Sequence, residues 1–424
     1  MGSLSQVENS VMEKVRGLTS LSSSSCIYRV PEHLRRTNQE EYTPMVVSIG
    51  PLHHGDAKLL LMEEQKVRYL IALLEKTSNK DLTGCVGVIE GHANKIRKCY
   101  AEKISTSENE FIEMVLLDSA FLIETFLKYN CVHEVEETDI IFWKPGLIGQ
   151  VVRDMKLLEN QLPFFILEEL YNFMMQPKSP IESFRTMTCH FFDVEPRVST
   201  PDINHFVDLF RTCFLPKRLR DSRVKVKGKI EFRPRVTELR EAGVRFEKID
   251  KSSSSLLDIE FDKGILKIPQ LKLQSDTESF FRNLVAYEHC HHWWDSYIID
   301  YIALLDFLIN TPKDVETLVD KEIIVNWLGN SEEAADVFKS LFKHCLFKQV
   351  NIVSANFYYS SICDQLEKFY KSPYHRNMAM LKHNYFGHPW AVISFVTAML
   401  LLVLSFIQAI TGVISVSQSG SSKR

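Results

Sequence analysis

No familiar catalytic signature stands in this chain. There is no GxSxG, HExxH, P-loop or GxGxxG, so the local motifs that announce a hydrolase, a zinc protease or a nucleotide fold are missing. Gly84, Gly87 and Gly91 have the wrong spacing for a phosphate loop. The nine cysteines contain no CxxC pair, which leaves neither a zinc ribbon nor a disulfide framework and points to reduced, mostly buried thiols. No Asn-X-Ser/Thr sequon occurs, and the N-terminus lacks the apolar core of a signal peptide. A body that stays out of the secretory lumen is the expectation. The formal net charge of −4 gives no global attraction to nucleic acid.

Charge is also missing from the last long run. Trp390 to Ile414 is 25 residues without one charged side chain, roughly 37 Å as a helix against ~30 Å of hydrocarbon. The expectation is one transmembrane helix over 388–414, with Trp390, Phe395, Leu401, Leu404, Phe406, Ile410 and Ile414 in the span and 415–424 as a short polar tail. Lys368, Lys371, Arg376 and Lys382 precede it, which keeps that flank cytosolic. A span so late implies tail-anchored insertion, single-pass, at the plasma membrane or else the endoplasmic reticulum. Ser394 with Ala398, and Ser405 with Ala409, have the spacing of close helix approach, so a homo-oligomer through the span is an expected arrangement.

What is present is an ordinary globular composition, 45% hydrophobic and 25% charged, enough for a large core over residues 26–382 after a flexible arm at 1–25. The pattern is mainly α. Lys58–Lys76 has apolar positions Leu59, Met62, Val67, Leu70, Leu73 and Leu74 near helical spacing. Glu110–Tyr129 is apolar on most sides, the mark of a core helix. Helices are also predicted from Pro163 to Leu170 and over Thr277–Cys290, Ser296–Asn310, Pro312–Asn326 and Ser331–Leu346. Val46–Ile49 reads as a buried extended piece stopped by Gly50-Pro51. Leu257–Phe261 and Ile265–Ile268 flank a Gly-containing turn and predict an antiparallel hairpin at about 256–268, with Val244–Ile249 as a third strand.

Several blocks carry a resemblance. IYRVPEHLRR at 27–36, YTPMVVSIGPLHHG at 42–55, RKCYAE at 97–102, KLLENQLPFFILEEL at 156–170 and YFGHPW at 385–390 resemble, in that order, the plant DUF247 family, also called UPF0481 proteins. The resemblance implies a largely helical cytosolic body on a C-terminal membrane helix. It implies no established activity or catalytic set, and some grass relatives are implicated in self-incompatibility.

Four constellations merit structural placement. His53-His54 and the run His289-Cys-His-His-Trp-Trp294 hold adjacent imidazoles, but further metal ligands are unmarked, so packed histidines are expected and no metal. Glu113 and Glu124 share a helical face ~16 Å apart and read as partners for Arg or Lys rather than an acid/base pair. Lys217–Arg235 carries nine basic and two acidic residues. It is a solvated loop, or an anionic-lipid contact through Lys217, Arg218, Arg220, Arg223, Lys225, Lys227 and Lys229. The reading is a membrane-anchored recognition or signalling protein with a protein partner and no cofactor. The alternatives are an enzyme whose site is assembled from distant residues, or a lipid-binding scaffold.

Overall fold

The computed structural model describes residues 7–8, 10–12, 24–76, 81–131, 135–175, 182–195, 202–216, 234–249, 255–349, 357–373 and 389–421. The elements in chain order are α1 (Glu32–Arg35), a 3-10 turn (Gln39–Tyr42), α2 (Leu60–Lys76), α3 (Leu82–Lys98), α4 (Glu108–Asn130), α5 (Ile140–Trp143), α6 (Leu147–Met155), α7 (Phe164–Met174), α8 (Phe184–Phe191), α9 (Phe206–Phe214) and α10 (Val236–Glu241). There follow β1 (Arg245–Ile249), β2 (Glu260–Asp262), β3 (Ile265–Pro269), β4 (Leu271–Leu273), α11 (Thr277–His291), α12 (Tyr297–Leu308), α13 (Pro312–Val319), β5 (Ile324–Asn326), α14 (Ser331–Gln349), α15 (Ser360–Lys371) and α16 (Pro389–Ser421).

Helix α4 is the axis of the N-terminal half. Ser107 caps it by accepting from the Glu110 amide, and from Phe111 to Phe126 almost every side chain is buried. A helix wet on so little of its surface must be wrapped, and α2, α3, α7 and α8 wrap it. At its far end the Phe126 ring lies 4.4 Å from Phe191 and 5.8 Å from both Phe184 and Phe206. Each such ring buried contributes about 1.5–3 kcal/mol. The C-terminal half packs α11, α12 and α14 together, with α13 against α10 and α14.

The expected hairpin is present. β2 and β3 are antiparallel with Glu260 opposite Lys267, and Gly264 turns between them at φ +78°, where an added Cβ would strike the Phe369 ring at 2.9 Å. The third strand, β1, joins in parallel, Arg245 opposite Ile265. The helix predicted over Pro312–Asn326 is shorter. It ends at Val319, Glu322 takes φ +56°, and the following Ile324–Asn326 becomes β5, paired in parallel with β4. The β-branched Ile323, Ile324 and Val325 favour that exit into a sheet.

Asp314 holds the start of α13. Its Oδ2 accepts from the Thr311 amide at 2.9 Å and the Thr311 hydroxyl at 2.8 Å, and its Oδ1 accepts from the Thr237 amide of α10 at 2.9 Å. Asp314→Ala removes a cap and a link between two helices. The expected cost is about 2 kcal/mol, read as a lowered thermal midpoint with unchanged helical circular dichroism.

The last segment corrects the sequence reading. Trp390, Phe395, Leu401, Leu404, Phe406, Ile410 and Ile414 do lie on a helix, α16. Yet among the described residues no helix is long and apolar enough to cross a membrane, so the expected transmembrane element does not stand. Hydroxyls and an amide punctuate the run: Thr397, Ser405, Gln408 and Thr411 divide it, and the helix continues into the polar residues at 415–421. Thr397 and Thr411 turn their hydroxyls back onto the Ile393 and Ile407 carbonyls at 2.8 and 3.0 Å.

Candidate functional site

The polar interior concentrates where the N-terminal segment crosses the body. Residues 24–30 run beside the end of α3, forming a parallel bridge of Ile27 with Tyr100. The next residues reach Glu159, whose side chain is fully buried. Its Oε1 accepts from the Val30 amide at 2.6 Å and pairs with Arg35; its Oε2 lies 3.5 Å from Arg29 Nη1 and 3.3 Å from His53 Nε2. Burial pushes this carboxyl up, but His53, Arg35 and the Val30 amide outweigh it and hold Glu159 below the usual range.

Glu159 belongs to a run of three polar residues set in apolar sequence, LLENQLPFF. Asn160 accepts from the Ile49 amide at 2.7 Å and donates to the Val47 and Asp154 carbonyls. Gln161 donates to the Met155 and Leu157 carbonyls and accepts from the Phe206 amide at 3.0 Å. Asp154 accepts from the Met45, Val46 and Val47 amides. The segment bends at Met45 and Val46 and forms no strand through Ile49, because these side chains satisfy its amides in place of a ladder. Gly50 follows at φ +73°, and an added Cβ would meet the Gln161 carbonyl oxygen at 2.5 Å. Only glycine fits that approach.

The N-terminal segment also meets the histidines at the end of α11. Tyr28 Oη is 2.7 Å from His291 Nδ1, and His291 stacks on Tyr287 at 5.3 Å. His33 meets His289 edge-on at 5.1 Å. His292 Nε2 is 3.9 Å from Asp208. His205 is buried and begins α9: its Nδ1 accepts from the Asp208 amide at 3.3 Å, so Nε2 carries the proton and donates to the Cys26 carbonyl at 3.0 Å. Burial lowers His205 to about 4. The Tyr28 phenol and the Cys290 thiol are each pushed up to about 12 by burial. Neither supplies a nucleophile near neutral pH.

A second constellation pins α2 to α4. Lys66 Nζ, fully buried, lies 2.6 Å from Asp118 and 2.6 Å from Glu63, and donates to the Ser48 hydroxyl at 3.2 Å. A serine beside a lysine has the outline of a nucleophile and its base. The base would have to be neutral. Burial favours that, but Asp118 and Glu63 overcome it and keep Lys66 protonated above its ordinary range. Ser48 instead donates to Glu63 at 3.1 Å, and Asp118 accepts from the Gly50 amide at 2.7 Å. Farther along, Lys76 pairs with Glu124 at 2.6 Å, while Lys128 and Tyr69 share Asp139 at 2.6 and 2.8 Å.

The structure thus joins two sequence candidates that seemed unrelated. His53 meets Glu159, which holds Val30 and Arg35, while His291 and His289 meet Tyr28 and His33 of the same N-terminal stretch. Among the described residues no group of three or more His, Cys, Asp or Glu is placed to hold a metal ion. Glu124 is the buried partner of a lysine, but Glu113 is exposed; Asp118 is the other buried carboxylate of α4. Val67, expected on the core side of α2, is 43% exposed. The basic positions Lys217, Arg218, Arg220, Arg223, Lys225, Lys227 and Lys229 lie outside the described residues. Asp154, Glu159, Asn160 and Gln161 were missed as an organising group, although polar residues inside an apolar run are a readable signal.

A family model described as a plant protein of unknown function, DUF247, matches residues 27–404. The chain belongs to the plant DUF247 family. The UPF0481 protein At3g47200 of Arabidopsis thaliana is 31% identical over 92% of this chain and 87% of its own length. A second UPF0481 protein of the same plant, At3g02645, is 22% identical over 92% of this chain and 90% of its own. No solved structure matches. The DUF247 match begins at Ile27 of the bridge and takes in the Glu159 hub and both histidine groups.

Proposed function

We propose that this DUF247 chain acts by protein recognition, through the solvent face of α2. The carrying observation is the apolar content of that face. Leu60, Leu61, Val67 and Ile71 are all exposed, Leu61 at 90%. Leu60, Val67 and Ile71 follow i, i+7, i+11, the spacing of anchors that enter a partner's groove. Between them Glu64 and Arg68 pair at 2.6 Å, a polar accompaniment that keeps such a stripe soluble.

The opposite face supports this reading. Met62, Tyr69, Leu70 and Leu73 are buried, and the Lys66–Asp118 and Lys76–Glu124 pairs fix α2 to α4. A helix held so firmly presents its outer side chains without an ordering cost on binding. The buried Lys66, Asp118 and Glu124 are engaged in these cross-links.

A photo-cross-linking residue in place of Leu61 or Ile71, expressed in plant cells, is expected to capture a discrete protein adduct. The same residue in place of the exposed Glu332 of α14 is expected to capture none of it. Equal capture from both faces, or none from α2, would refute the assignment.

A further inference from the structure

Two buried cysteines, Cys26 and Cys99, meet at the N-terminal bridge. The Cys26 and Ile27 amides both donate to the Cys99 carbonyl, at 2.8 and 2.9 Å, and the Ala101 amide returns a bond to the Ile27 carbonyl at 2.9 Å. Cys26 and Cys99 each stand one residue before the bridged pair Ile27 and Tyr100. The backbone bond from the Cys26 amide to the Cys99 carbonyl holds the two residues side by side, the proximity that a disulfide requires. The two thiols influence each other electrostatically, Cys99 Sγ also donates to the Lys95 carbonyl at 3.4 Å, and both residues are buried, at 3% and 7% exposure.

We propose that Cys26 and Cys99 form a dithiol site that peroxide oxidises to a disulfide, tying the N-terminal segment to the end of α3. The two thiols have different roles. The neighbouring Cys26 thiol, with the Lys95 ammonium nearby, lowers the Cys99 thiol against the effect of burial. Cys26 is raised by the same interaction and by burial. Cys99 is therefore the attacking thiolate. Its sulfur attacks one peroxide oxygen, the O–O bond breaks and hydroxide leaves, giving a sulfenic acid. The Cys26 sulfur then attacks that sulfur; the S–O bond breaks and the oxygen departs as water with the Cys26 proton. Two thiols lose two electrons and two protons, and one peroxide becomes two waters.

The bond would sit beside the contacts that hold the segment. Tyr28 reaches His291, Arg29 reaches Glu102 at 2.8 Å, and Val30 reaches Glu159. Closing a covalent loop over residues 26–99 would fix them together, so the oxidised chain should melt at a higher temperature than the reduced one.

The test treats the reduced full-length chain with increasing hydrogen peroxide. It follows with alkylation, non-reducing digestion and peptide mass mapping. The expected result is a linked peptide pair containing Cys26 and Cys99, lighter by two hydrogens, that is restored by dithiothreitol. In the Cys26→Ser variant, Cys99 should halt as a sulfenic acid that dimedone traps. Differential alkylation of the unmodified wild-type chain gives the same assignment should that variant fold poorly: Cys26 and Cys99 should lose alkylation together. The adjacent thiols Cys189 and Cys213 of α8 and α9 provide the internal comparison. Cross-linking of that pair, or of any other, while Cys26 and Cys99 remain alkylatable would overturn the proposal.

Discussion

Lys66→Met is expected to destabilise the chain by about 3–5 kcal/mol, the cost of removing one partner of a buried ion pair. The methionine fills the space of the lysine stem, so the loss is electrostatic. Asp118, with its side chain only 1% exposed, would keep the Gly50 amide but lose its ammonium partner at 2.6 Å. A carboxylate left in that surrounding must take up a proton or draw in water. The double variant Lys66→Met with Asp118→Leu removes both charges and should recover much of the loss, since apolar replacement of a whole buried pair is often neutral. Urea unfolding followed by circular dichroism measures both. A single variant as stable as the wild type would mean that Lys66 and Asp118 do not form this pair. Recovery in the double variant would separate charge burial from packing.

Acid is expected to remove the contribution that the neutral His205 makes to the fold. His205 is neutral in the folded chain and is lowered by burial from 6.5 to about 4. Between those values the unfolded chain binds a proton that the folded chain refuses, so the His205 contribution falls as pH drops from 6.5 to 4, while Asp306, raised by burial to about 7, acts in the opposite direction. The loss is roughly 3 kcal/mol at about 1.4 kcal/mol per unit. His291, lowered first by burial and then by His292, adds to the same limb. Asp208 acts later. Burial raises it, but His292, His205 and the Asn204 amide bring it to about 2, so its contribution is present above 3.8 and is lost as pH falls toward 2. In His205→Asn the shorter amide can still cap the Asp208 amide. That variant should show a visibly flatter decline of thermal midpoint between pH 6.5 and 4, with an Asp208 limb that is reduced but still supported by His292 and the Asn204 amide. An unchanged slope would place the neutral imidazole elsewhere.

The helices with the clearest pattern were legible. Glu108–Asn130 and Leu60–Lys76 announce themselves through apolar spacing, and the turn at Lys263-Gly264 through its glycine. What escaped was the structure that depends on distant partners. Ile324–Asn326 is a strand only because Leu271–Leu273 lies beside it. Met45–Ile49 can be buried without a strand partner only because Asp154 and Asn160, more than a hundred residues away, satisfy its amides. The gathering of His53 and His291 about one segment also needs the whole chain, because their contacts, Glu159 and Tyr28, belong to different sequence neighbourhoods. Val67 was misplaced because Leu70 and Leu73 on the core side sit close to it in sequence, and periodicity in a short helix leaves the edge of the buried face undecided. The apolar run after Trp390 was read by length and lack of charge, which gave a helix correctly and a membrane crossing incorrectly.

The central claim is that the outer face of α2 is a protein-binding surface on a body whose buried charges are structural. The most direct test is quantitative co-purification from plant cells of the tagged wild-type chain and of a triple variant, Leu61→Glu, Val67→Glu and Ile71→Glu. All three side chains are exposed, so the thermal midpoint should be unchanged. The account predicts at least one protein enriched with the wild type and reduced about tenfold or more with the triple variant, the effect of losing ~1.4 kcal/mol or more of binding. Recovery of the same proteins in the same amounts from both chains would contradict it.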